Sequence, residues 1–153
     1  PPRYYVDFRR FSLYLRDEHL ALLFFNLHHY KGITEENYVP HKFEEICRQY
    51  LIRQNRIGNI DPVLEKIGKY YYDDPKTRSN GEFDVVSEDE KGYIFYEVKF
   101  RKRKISQEVI DEEIQQVKNT GLNCYKYVFF SRTGFTVKET DTVKHIELDR
   151  LFQ

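Results

Sequence analysis

The sequence predicts an α/β or α+β domain, a mixed sheet flanked by helices, and three observations carry that prediction. An amphipathic helical stripe lies before residue 55, the hydrophobic period turns strand-like from Lys69, and a second amphipathic helix separates the third strand from the fourth. The order helix, three strands, helix, strand is that of a sheet with helices packed on it.

Along the chain, residues 1–38 read as helical and loosely organised, with Phe8, Phe11 and Leu15 at helical spacing, an apolar segment over 20–27 and a break at Lys31-Gly32. This part is expected to be an extension or junction, and 39–153 the domain proper. The first domain helix is expected over 41–54, where Phe43, Ile46, Cys47, Tyr50 and Leu51 follow i, i+3, i+4, i+7, i+8. Gly58, Asn59, Asp61 and Pro62 mark an irregular stretch, and Gly68 is expected to end a short helix over 63–67. Tyr70, Tyr71 and Tyr72 favour a strand, 73–81 reads as a polar loop, and 82–88 is a strand carrying Phe83, Val85 and Val86. A turn over 89–92 leads into the most strand-like segment, 93–100. Ser106 then caps a helix with Val109, Ile110, Ile114 and Val117 on one face, ended by Gly121. Strands over 125–131 and 143–148 complete the pattern.

Composition narrows the class. With 153 residues, 40% hydrophobic and 33% charged, the chain is globular and has room for one core. Its 25 basic and 25 acidic side chains cancel, so affinity for nucleic acid has to come from clustering. Arg101, Lys102, Arg103 and Lys104 form such a cluster, and Asp111, Glu112 and Glu113 an acidic one. Cys47 and Cys124 have neither metal-ligand spacing nor the look of a disulfide framework, which favours a reducing cytoplasm. The five histidines show no zinc-type spacing. The apolar run over 20–25 is far short of the roughly 20 residues of a membrane span, so no membrane association is expected. Methionine is absent even at position 1, so the domain is expected to be cut from a longer protein.

The chemistry concentrates in the hairpin. If 89–92 is a four-residue loop, Glu88 pairs with Tyr93 and Asp84 falls directly opposite Glu97, with Cβ atoms about 4.5–5.5 Å apart. Two like charges so placed either share a proton or hold a cation, and hard oxygen ligands suit Mg²⁺ or Mn²⁺. Asp84 and Glu97, with Val98 next after Glu97, are the expected metal residues. Lys99, two residues beyond Glu97, projects from the same face and can orient a metal-bound water or stabilise charge on a phosphate oxygen. On helix 41–54, Glu44 falls at the edge of the buried stripe whereas Glu45 points toward solvent, so Glu44 is the fourth candidate. Gln116 has a similar boundary position on the later helix and is a candidate for holding substrate or Lys99. Arg101 to Lys104 are the candidates for meeting phosphates.

Gly81-Glu82-Phe83-Asp84-Val85-Val86 followed by Tyr96-Glu97-Val98-Lys99 resembles the D…ExK signature of the PD-(D/E)XK nuclease superfamily. Phe83 stands where the name-giving proline would be. The helix Phe43-Glu44-Glu45-Ile46-Cys47-Arg48-Gln49-Tyr50-Leu51 and the Ile67-Gly68-Lys69-Tyr70-Tyr71 segment look like a narrower group, a nuclease-like domain at the C-terminus of archaeal and bacterial AAA-type ATPases. The resemblance covers about 43–151 and implies a restriction-endonuclease-like αβββαβ core. It also implies a catalytic set of Asp84, Glu97, Lys99 and Glu44, with Mg²⁺ or Mn²⁺ as cofactor. The implied activity is DNA phosphodiester hydrolysis, with an ATPase domain in the same full-length chain. Two other classes stay open: a nuclease-like module that binds nucleic acid or protein without cutting, and a regulatory or dimerising appendage of an ATPase.

Overall fold

In the computed structural model, which describes residues 3–7, 38–76 and 78–152, the described residues form six strands and two α-helices. They are β1 (Arg3–Asp7), α1 (Tyr38–Arg56), β2 (Lys66–Asp74), β3 (Ser79–Asp89), β4 (Gly92–Lys99), α2 (Gln107–Lys118), β5 (Cys124–Ser131) and β6 (Val143–Glu147), followed by a 3-10 turn at Leu148–Phe152. The strands form one sheet in sequence order. β1 to β4 are antiparallel neighbours, whereas β5 runs parallel to β4 and β6 parallel to β5. The α/β class and the αβββαβ order from α1 to β5 are therefore as the sequence predicts.

Alternation along β4 and β5 feeds two cores. Ile94, Tyr96 and Val98 join Val85, Val128 and Phe130 under α1, meeting Phe43, Ile46, Cys47 and Leu51. On the other face Phe95 joins Tyr70, Phe83 and Val86 around Val117 of α2, and Phe129 packs with Ile105, Ile110 and Val143. A strand buried on both faces reads as a continuous apolar run, which is why Ile94-Phe95-Tyr96 and Val128-Phe129-Phe130 lack polar alternation. Phe130 is fully buried and meets Tyr50 and Tyr96 with ring centroids 6.3 Å away in each case. Truncation to alanine should cost about 3–5 kcal/mol, read as a lower urea midpoint at unchanged slope. An unshifted midpoint would mean that α1 does not rest on this part of the sheet.

Local signals explain the ends. Ser106 Oγ accepts from Val109 N at 3.5 Å and caps α2, and Gly121 follows with φ 73. The β3–β4 turn is tighter than the expected four residues: Asp89 pairs with Gly92, leaving Glu90 and Lys91 as the loop, while Glu88 faces Tyr93 as anticipated. Gly92 adopts φ 136, and a Cβ there would come within 2.6 Å of Asn123 O.

Three elements differ from the sequence prediction. Residues 3–7 were expected to be helical, but they form an edge strand paired with β2 from Arg3–Asp73 to Asp7–Lys69; a Tyr-Tyr-Val run favours sheet pairing. The helical spacing of Phe8, Phe11 and Leu15, the apolar 20–27 segment and, of the junction expected over 1–38, residues 1–2 and 8–37 lie outside the described residues. No helix forms over 63–67. Asn55 at the end of α1 instead bonds both Leu64 N (2.8 Å) and Leu64 O (3.0 Å), and Lys66 already enters β2. The polar loop shrinks because Asp73 pairs with Asn80 and Asp74 with Ser79. Among the described residues, no helix is long and apolar enough to cross a membrane.

Candidate functional site

The site is organised by an irregularity in β3. Gly68 faces Val86 but Tyr70 faces Phe83, so Lys69 alone stands against two residues, Asp84 and Val85. On the other side the ladder with β4 ends at Val85–Tyr96, one step short of Asp84 and Glu97. The expected regular pairing of these two acids is thus replaced by an opening between the strands, because the extra residue of the bulge turns Asp84 out of register. Its carboxylate fills the opening: Oδ2 accepts from Val98 N at 3.1 Å. A strand residue's N–H and C=O point to the same side, so the Val98 carbonyl faces this opening as well.

Charged groups approach Asp84 from both faces of the sheet. From α1 comes Glu44, whose side chain is only 15% exposed and lies 3.5 Å from Lys69 Nζ; Lys69 also reaches Glu82 at 3.6 Å. On the α2 face Lys99 Nζ lies 2.7 Å from Glu97 Oε1 and 2.5 Å from Glu113 Oε1. All three of these side chains are mostly buried, with 11% to 18% exposure. Glu97 and Glu113 also border a small cavity walled by Phe83, Phe95, Val117 and Phe129.

Burial sets the electrostatics. It pushes the Asp84 carboxyl up to about 6, helped by Glu44, against the pull of Val98 N, Lys69 and Lys99. Burial and then Asp84 push Glu97 further, up to about 8, although Lys99 favours its ionised form. Burial opposes the charge on Lys99, but Glu97 and Glu113 outweigh it and raise its pKa. Cys47 lies within the field of Asp84 and Glu44, and burial followed by those charges pushes its thiol well up, which keeps it an inert core residue.

The structure thus brings Asp84, Glu97, Lys99, Glu44 and the main chain of Val98 to one place. Arg101, Lys102, Arg103 and Lys104 are exposed in the loop that leaves β4 beside it. Gln116 does not hold Lys99: its side chain is exposed on α2, and Glu113 takes the ammonium instead. Glu113 escaped the sequence reading because it sits in an acidic run, yet Ile110, Glu113 and Val117 share the i, i+3, i+7 spacing of the buried stripe. Lys69 gave no signal beyond being the charged residue next to a tyrosine run. Glu45, expected to face solvent, is partly exposed and engages Arg48 and Gln49 at 2.9 Å each.

Among the described residues, no three His, Cys, Asp or Glu side chains converge as a ready-made ligand set. Two carboxylates with a main-chain carbonyl still make a donor set that Mg²⁺ accepts, the remaining positions being filled by water. The raised pKa values of Asp84 and Glu97 fit that role, since a cation would relieve the repulsion that now favours their protonated forms.

Residues 27–116 match a family model, DUF234, described as archaeal and bacterial proteins of unknown function. No curated protein and no solved structure matches the chain.

Proposed function

The chain belongs to the DUF234 family, and from that premise we propose that it is a metal-dependent nuclease of the PD-(D/E)XK type hydrolysing DNA phosphodiesters. The observation that carries this reading is the opening at the β3 bulge, where two acids from neighbouring strands, both held toward protonation, meet a buried lysine. Purely structural acids are usually paired so that their charged forms are favoured; here the environment disfavours them, as sites that bind a cation commonly do.

Asp84, Glu97 and the Val98 carbonyl would hold Mg²⁺ or Mn²⁺. When bound, that ion supplies an acidified water and polarises the phosphate. Lys99 presents its ammonium at the same place and stabilises the negative charge that grows on a phosphate oxygen. Glu113 anchors Lys99 from the opposite helix, so the ammonium keeps its position when Glu97 turns to a cation. Glu44, with Lys69 as its partner, holds the α1 side and sets the field around Asp84. The likeness to C-terminal domains of AAA-type ATPases adds the proposal that an ATPase domain in the same full-length chain delivers the DNA.

One observation favours a second reading, in which the module binds DNA or a protein without cutting it. Lys99 is already engaged by both Glu97 and Glu113, so the site is closed upon itself. The deciding experiment is incubation of labelled linear, single-stranded and branched DNA with the protein in Mg²⁺, Mn²⁺ or EDTA. Cleavage that needs the divalent ion supports the enzyme; binding with intact DNA under every condition would leave the second reading in its place.

A further inference from the structure

We propose that Arg132, stacked on Phe100, is a phosphate-binding residue that seats the DNA strand beside the acids; this rests on the DNA-directed reading of the site. Lys99 and Ser131 are register partners on parallel strands, so Phe100 and Arg132, the next residues of each chain segment, emerge side by side. Alternation puts both on the α1 face, and the Phe43 ring confirms it by meeting Phe100 at 5.2 Å. Phe43 precedes Glu44, so this pair of residues borders the α1 side of the site.

The Arg132 guanidinium lies 4.6 Å from the centre of the Phe100 ring. It makes no hydrogen bond or ion pair with any described residue. The backbone beneath it is fixed, with Arg132 N bonded to Lys99 O at 3.4 Å. Stacking leaves the rim of a guanidinium free, and its fork of N–H donors matches the oxygens of a phosphate. A flat cation that is oriented by a ring and has no acidic partner is preorganised for an anion.

The neighbouring loop extends the same character. Thr133 Oγ1 donates to Arg103 O at 2.8 Å, tying the turn after β5 to the basic run of Arg101 to Lys104. Five cations therefore gather at the C-terminal ends of β4 and β5, the end at which Lys99 sits. A backbone crossing this edge would meet Arg132 together with the exposed side chains of the basic run.

The test is equilibrium binding of a short fluorescent duplex in EDTA, across a salt series, so that cleavage plays no part. Arg132→Ala should weaken binding about tenfold near 0.1 M salt and lower the log–log salt slope by about one. Arg132→Lys should restore the slope and only part of the affinity, since it keeps the charge but loses the planar fork. Thermal unfolding of both variants checks the fold. Unchanged affinity and slope in folded Arg132→Ala overturn the assignment, as does a parent protein that binds no DNA. Cleavage in Mg²⁺ without Arg132-dependent binding would leave the nuclease standing and this inference fallen; Arg132-dependent binding without cleavage would do the reverse.

Discussion

Glu97→Gln is expected to lower Mg²⁺-dependent DNA cleavage by about 10²–10³-fold or more, with the loss in kcat. The substitution keeps the shape of the side chain and removes only its ability to carry charge. Two consequences follow from the geometry. A cation loses one of its two carboxylate donors, and Lys99 is left with Glu113 as its sole carboxyl partner among the described residues. Lys99→Met should cause a loss of similar size for a different reason, since it deletes the ammonium that offsets charge on the phosphate. The two defects separate in a metal titration: heats of Mg²⁺ or Mn²⁺ binding should fall in Glu97→Gln and persist in Lys99→Met. Single-turnover kinetics on labelled duplex measures the chemical step, and circular dichroism checks that each variant folds. A Glu97→Gln variant that cuts at the parent rate would remove the acid from the reaction altogether.

Most of what positions this site could be read from side-chain spacing. The stripe Phe43, Ile46, Cys47, Tyr50, Leu51 fixed α1 and put Glu44 at its buried edge, where the structure has it. The Ser106 cap and the Val109 to Val117 stripe fixed α2. Period alone also told which residues of β4 share a face, and so linked Glu97 to Lys99.

Two things were not legible because they depend on partners distant in sequence. The bulge at Asp84 and Val85 arises from how β3 meets β2, and no local residue announces it; Phe83-Asp84-Val85-Val86 reads as an ordinary strand. A perfect ladder would have set Asp84 squarely against Glu97, whereas the bulge puts its carboxylate between the strands, bonded to Val98 N and open to Glu44 on one face and Lys99 on the other. The helical reading of the short stretch over 63–67 failed for the same kind of reason. Asn55, nine residues before Leu64, holds that segment extended, and propensity could not anticipate the contact.

Proton release should accompany metal binding, and the affinity should climb steeply with pH. In the metal-free protein, Glu97 titrates at about 8 against an ordinary 4.5, and Asp84 at about 6 against 3.8. Because these folded-state values are raised, the folded chain holds protons that the unfolded chain has lost. The stabilisation is therefore complete below the ordinary values and is lost as pH rises toward 8, at up to about 1.4 kcal/mol per pH unit for each group. A divalent cation reverses the preference, since it requires both carboxylates ionised. Between pH 6 and 8 its apparent affinity should rise up to about tenfold per pH unit, one proton being displaced, mainly from Glu97. Titration calorimetry of Mn²⁺ in buffers of different ionisation enthalpy counts that proton directly. Glu97→Gln should release about one proton fewer at pH 7 and show a flatter pH dependence of what affinity remains. An affinity that stays constant from pH 6 to 8 in the parent protein would mean that the cation binds without displacing a proton, and Glu97 would then not be among its ligands.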